Sequence, residues 1–187
     1  MKRRDETCIN RQVIEQGARR SAQRPEPHVL AIASAGGHWV ELRRLAKAWE
    51  GCRISYVSTN ESYRSEIEDK AVREGPPAPR FFFVPDASRW DKAKLLLLAV
   101  RIARLVVRLR PDVVISTGAA PGYLAIRIGR LLGARTIWLD SIANVDEVSL
   151  SGRLAAPHCT LFLTQWPHLA APSPSASASM RYAGKVL

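Results

Sequence analysis

The stretch Val29-Leu-Ala-Ile-Ala-Ser-Ala-Gly-Gly-His-Trp-Val-Glu-Leu-Arg-Arg-Leu45 decides the fold. Val29 to Ala33 is apolar without a break, which predicts a buried strand. Ser34 to Gly37 supplies a tight turn poor in side chains. Val40, Leu42, Leu45 and Ala46 then open a helix, with apolar residues near helical spacing. Strand, glycine turn and helix together aim free backbone N–H groups and a positive helix end at an anion, most often a phosphate. Glycine serves there because it reaches unusual backbone angles and leaves room for close approach. The three spaced glycines of a dinucleotide fingerprint are absent, as is the P-loop lysine pattern. A structural turn that holds nothing remains open beside the anion cradle.

Outward from this unit the chain keeps alternating strand and helix. Arg53 to Ser58 reads as a second strand, and Thr59 or Asn60 caps a helix over 61–73. The prolines between Gly75 and Pro79 demand a loop. Arg80 to Val84 is a third strand, and Ser88 to Arg110 a long helix. Pro111 to Ser116 is a fourth strand, leading into a second small-residue turn, Thr117-Gly-Ala-Ala-Pro-Gly122. A helix over Tyr123 to Leu132 stops at Gly133. Arg135 to Leu139 makes a fifth strand, Ser149 to Ala156 a short helix and Cys159 to Leu163 a sixth strand. Pro172 to Ser179 has linker composition, and Arg181 to Leu187 resembles one more strand. The alternation implies an α/β domain with a Rossmann-like, doubly wound, mostly parallel sheet. With strand order 3-2-1-4-5, the glycine turns after the first and fourth strands become neighbours at the switch point, where such sheets bind ligands.

At 187 residues with 47% hydrophobic content, the chain suits one globular domain. Residues 1–27 are polar and read as a flexible basic extension without a secretory h-region, leaving 28–187 as the domain. The formal net charge of +11 favours an anionic partner. Cys8, Cys52 and Cys159 are far apart, which suits a reducing compartment and gives no metal-ligand spacing. No run approaches the ~20 apolar residues of a spanning helix.

In the long helix, Leu95, Leu98, Ile102, Leu105, Val106 and Leu109 share one side. Lys94, Arg101 and Arg108 recur every seventh residue on another, with Arg104 close by. A solvated basic face on a sheet-packing helix accounts for this. So does a face that lies on an anionic membrane surface, with Trp90 and the leucines 95–98 at its start.

Five ordered motifs carry a family resemblance: Ser-Ala-Gly-Gly-His-Trp-Val-Glu-Leu at 34–42, Ser-Thr-Gly-Ala-Ala-Pro-Gly at 116–122, Leu-Asp-Ser at 139–141, Leu-Ser-Gly-Arg-Leu at 150–154 and Thr-Gln-Trp-Pro at 164–167. Over Val29 to Leu187 the chain resembles the asparagine-linked glycosylation 14-like family, which includes the PssD-type exopolysaccharide and capsule proteins. More distantly it is similar to the N-terminal half of MurG.

The resemblance implies a single GT-B N-terminal-type domain, the acceptor-side half of a split, inverting glycosyltransferase. A GT-B C-terminal-half subunit would bind the UDP-sugar, and this chain would hold no cofactor or metal. The acceptor would be a polyprenyl-diphosphate-linked glycan, at the cytoplasmic face of the cell membrane with peripheral attachment. His38 would contact the diphosphate or act as general base, the task histidine takes most often. Glu41, three residues on, would orient that imidazole, cap the helix or serve as an alternative base. Gly36, Gly37, Thr117, Gly118 and Gly122 would form the backbone cradle, with Asp140 and Ser141 contacting acceptor or partner. Gln165 and Trp166 would serve the partner interface. Arg153 is either a phosphate contact or a plain surface arginine.

A non-catalytic scaffold that recruits a catalytic partner to the membrane is the rival reading. Nucleic acid is not an expected partner, because aromatics do not interleave with the Lys/Arg clusters and no recognition motif occurs.

Overall fold

The computed structural model describes residues 26–74 (backbone only for 70–74), 78–87, 91–170 and 180–186. Most of the N-terminal extension, the loop residues 75–77, Trp90 and the Pro172–Ser179 segment lie outside the described residues.

β1 (His28–Ala33) is buried along its whole length. It pairs in parallel with β2 (Arg53–Ser58) on one side and β4 (Val113–Ser116) on the other. β3 (Arg80–Phe83), β5 (Arg135–Leu139), β6 (Leu161–Thr164) and β7 (Met180–Tyr182) complete a seven-stranded sheet of order 3-2-1-4-5-6-7. Every pairing is parallel. The order reverses between β1 and β4, so both glycine turns emerge at the same point of the sheet's carboxyl edge.

β1 alternates with period two between two cores. Val29, Ala31 and Ala33 face α1 (Gly37–Arg44) and α2 (Tyr63–Glu74), packing with Trp39, Leu42, Tyr56, Ile67 and Phe81. Leu30 and Ile32 face α3 (Lys92–Leu109), α4 (Ala119–Leu131) and α5 (Leu150–Ala155). Their neighbours there include Leu98, Ile102, Ile126, Trp138 and Phe162. Helices on both faces make the sheet doubly wound, as expected. Cys159 belongs to the second core, and burial pushes its thiol pKa up to about 12.

Several boundaries shift from the sequence expectation, and three of the shifts are informative. α3 starts at Lys92, where Asp91 accepts a hydrogen bond from the Lys94 amide at 3.0 Å and caps the helix. β7 ends at Tyr182 rather than running to the terminus. α4 begins at Ala119, four residues before the expected Tyr123. Pro121 accounts for the difference: in a first helical turn proline loses only an N–H that has no partner within the helix. Gly122 therefore lies inside the helix rather than in a loop. It is not part of a backbone cradle. A Cβ there would overlap the Ser116 hydroxyl, so this glycine lets α4 approach β4.

Candidate functional site

The two glycine turns meet. Gly36, with φ at 81°, closes β1 and leads into α1. Gly118, with φ at 151°, closes β4 and leads into α4. The His38 imidazole lies against Gly118 so closely that a Cβ at 118 would overlap the ring. The Thr117 hydroxyl donates to the His38 carbonyl at 2.6 Å, pinning one turn to the other. Thr117 is fully buried and thus anchors the turns.

Not every expected amide is free. The Ala35 and Gly36 amides donate to Thr59 Oγ1 (2.9 Å) and the Tyr63 hydroxyl (3.1 Å). The Gly118 amide donates to Ser116 Oγ at 3.2 Å. Gly37, His38 and Trp39 fill the first turn of α1, and Ala119 and Ala120 that of α4, where amides have no partner inside the helix. The free amides thus begin one residue after Gly36 and Gly118, at Gly37 and Ala119. Thr59 and Tyr63 were missed in the sequence, where they read only as the start of a helix.

His38 is half-buried, and its Nδ1 is buried without a hydrogen-bond partner. Glu41 is on the same face of α1 but has no hydrogen bond to His38 and does not cap the helix. Its Oε1 accepts from Ser141 Oγ and the Ile142 amide, both at 2.9 Å. Both proposed tasks of orienting and capping are therefore corrected: Glu41 ties α1 to the β5–α5 loop. Its Oε2 is buried and unpartnered.

Asp140 is also committed internally. Trp138 Nε1 (3.0 Å) and Ser149 Oγ (2.6 Å) donate to its Oδ1, and Asn144 Nδ2 and the Ser149 amide, both at 3.0 Å, to its Oδ2. Four donors saturate a carboxylate, so Asp140 shapes the loop. Ser149 doubles as the α5 cap through the Gly152 amide at 2.9 Å. A serine ahead of an apolar helix was visible in the sequence; its reach back to Asp140 was not.

Gln165 is fully buried. Its Nε2 donates to the Asp140 carbonyl at 3.2 Å, and its Oε1 accepts from the Val186 amide at 2.9 Å. It cannot touch a partner from there, which corrects the interface expectation for this residue. Trp166 is half-buried, donates to the Ile142 carbonyl at 2.9 Å and carries Lys185 Nζ 4.3 Å from its ring centre. Arg153 pairs with Glu147 at 2.8 Å on the surface. Lys94, Arg101 and Arg108 are exposed on α3. Among the described residues no group of His, Cys, Asp or Glu is placed to hold a metal ion.

A family model described as "Oligosaccharide biosynthesis protein Alg14 like" matches residues 29–184, spanning both turns and every strand. The chain is a member of the Alg14-like family. Alg14-like relatives include the UDP-N-acetylglucosamine transferase subunit ALG14 of Eremothecium gossypii. That protein is 28% identical over 169 residues, covering 78% of this chain and 75% of its own. The subunit of the same name from Yarrowia lipolytica is 26% identical over 172 residues, covering 80% and 78% respectively. Among solved structures, Acinetobacter baumannii MurG superposes with a TM-score of 0.61 at 16% identity over 83% of this chain. That likeness is one of fold, Rossmann-like and of GT-B type. This Alg14-like chain spans 45% of the MurG chain's length. Among the described residues no helix is long and apolar enough to cross a membrane.

Proposed function

We propose that this Alg14-like chain is the acceptor-side subunit of a two-chain, inverting sugar transferase acting on a polyprenyl-diphosphate-linked glycan. The observation that carries the reading is the packing of His38 against Gly118. It brings two helix N-termini to one point of the carboxyl edge, with one imidazole between them. Two sets of first-turn amides suit the two phosphates of a pyrophosphate better than either alone. The second GT-B domain and the donor site belong to a partner chain, and the name of the relatives, UDP-N-acetylglucosamine transferase subunits, supports UDP-N-acetylglucosamine as donor. The acceptor hydroxyl attacks the anomeric carbon opposite the departing UDP. The bond to UDP breaks as the new glycosidic bond forms, and the hydroxyl proton passes to His38. The exposed face of α3 docks the chain peripherally on the cytoplasmic face of the membrane. The product enters lipid-linked oligosaccharide assembly, and a surface polysaccharide is the end we assign to it.

A purely scaffolding role is favoured by one observation: Glu41, Asp140 and Gln165 are all committed inside the fold. The test is His38→Ala, co-expressed with a UDP-sugar-binding GT-B half and assayed on a polyprenyl-diphosphate sugar. A complex that assembles but transfers about 100-fold more slowly or worse supports the catalytic reading. Unchanged turnover supports the scaffold.

A further inference from the structure

The amino edge of the sheet, at the far end of β1 from the glycine turns, carries an open cavity of about 1000 Å³. Arg53 at the start of β2, Arg110 at the end of α3 and Arg135 at the start of β5 all line it. None of these guanidinium groups is in an ion pair among the described residues. Glu26 and Asp112 also line the cavity, but Asp112 Oδ2 is engaged by the His28 amide at 2.7 Å. His28, buried at this edge, has its pKa lowered first by desolvation and then by Arg53, with the Leu109 carbonyl and Asp112 opposing and Arg80 adding to the fall.

Arg110 holds the left-handed C-cap of α3, with φ at 43°. Glycine is the residue that takes this position without strain. The fold keeps an arginine there, and that arginine lines the cavity.

The cavity also adjoins an exposed apolar stripe. Leu96, Val100 and Val107, spaced by four and seven residues, lie along one side of α3. They are 66%, 37% and 51% exposed, and Val107 itself lines the cavity. At 18 residues α3 runs roughly 27 Å, long enough to span from the carboxyl edge to the amino edge.

We propose that this cavity is a headgroup site for an anionic phospholipid. Arg53, Arg110 and Arg135 hold its phosphate, and its acyl chains lie along Leu96, Val100 and Val107. The inference rests on the docking of α3 at a membrane. It adds a second, separate phosphate site at the opposite end of the sheet from the acceptor's pyrophosphate. Arginine suits it through its forked donors and weak hydration.

The test uses the full chain and three probes: monomeric dihexanoyl phosphatidylglycerol, inorganic phosphate, and phosphatidylcholine vesicles with and without phosphatidylglycerol. Calorimetry with the short-chain lipid is compared between wild type, Arg53→Gln/Arg135→Gln and the charge-matched Arg181→Gln/Lys185→Gln at the remote β7 end. Circular dichroism confirms that each variant folds. The proposal expects binding weakened about tenfold or more in the cavity variant and unchanged in the control. Equal weakening in both variants means diffuse charge attraction and overturns it. Inorganic phosphate binding as tightly, with the same arginine dependence, overturns the lipid assignment. A wild type that ignores phosphatidylglycerol vesicles yet binds the short-chain lipid through Arg53 and Arg135 overturns membrane docking and leaves the headgroup site standing.

Discussion

Gly122 is glycine for reasons of space. The atom a larger residue would meet is Ser116 Oγ, which also receives the Gly118 amide. Gly122→Ala is expected to cost about 1–3 kcal/mol, the usual penalty for overpacking, and to disturb the turn that holds His38. Urea unfolding and the transfer assay check the two halves of that statement. His28 offers a second test at this scale. Its Nε2 meets Ser55 Oγ at 2.9 Å and its Nδ1 the Leu109 carbonyl at 3.1 Å. The folded chain holds its pKa down, chiefly by burial, so the unfolded chain takes up the proton first as pH falls. Stability is therefore full above the unfolded value of about 6.5 and declines as pH drops from there through the lowered folded value. Denaturation midpoints measured from neutral pH downward are expected to show this slope, and His28→Gln to flatten it.

At the scale of the element, α3 carries two apolar faces with different purposes. Leu98, Ile102 and Val106 are buried in the core against the sheet, while Leu96, Leu97, Val100 and Val107 lie open beside Lys94, Arg101, Arg104 and Arg108. Leu98→Ala is expected to lose about 2–5 kcal/mol. Leu96→Glu is expected to change stability by no more than ~0.5 kcal/mol while weakening attachment to anionic vesicles in a flotation assay. Equal effects of both changes on unfolding would show the outer face to be structural. The core stripe of α3 was legible because its spacing is helical and its partner is a sheet. The outer stripe was legible only as the undivided run of leucines 95–98, whose members differ in direction alone: Leu96 and Leu97 face outward, while Leu98 is buried in the core and Leu95 packs against it. The early start of α4 was obscured by Pro121 and its small neighbours, which read equally as a turn.

Across the whole molecule, a doubly wound parallel sheet followed from alternation of strand and helix, because such a sheet leaves few ways to connect, and the meeting of the two turns followed once strand order 3-2-1-4-5 was supposed. The duties of Asp140, Glu41 and Gln165 did not, since each depends on partners far along the chain: Ser149, Ser141 and Val186. Polar residues near a ligand edge look alike in sequence whether they face a substrate or a neighbouring loop. If the donor belongs to a second chain, titration of UDP-N-acetylglucosamine into this chain alone gives no heat of binding, and adding the partner restores it. Binding to the isolated chain would refute the division of labour. The ties that commit those side chains also have a mechanical result. Glu41 joins α1 to the β5–α5 loop, and Gln165 joins that loop to the C-terminal segment. The rim around His38 is thereby cross-braced before any acceptor arrives. If an acceptor binds there as proposed, little ordering entropy is left to lose on capture, and in the proposed two-chain enzyme any opening and closing during turnover falls to the seam between the polypeptides.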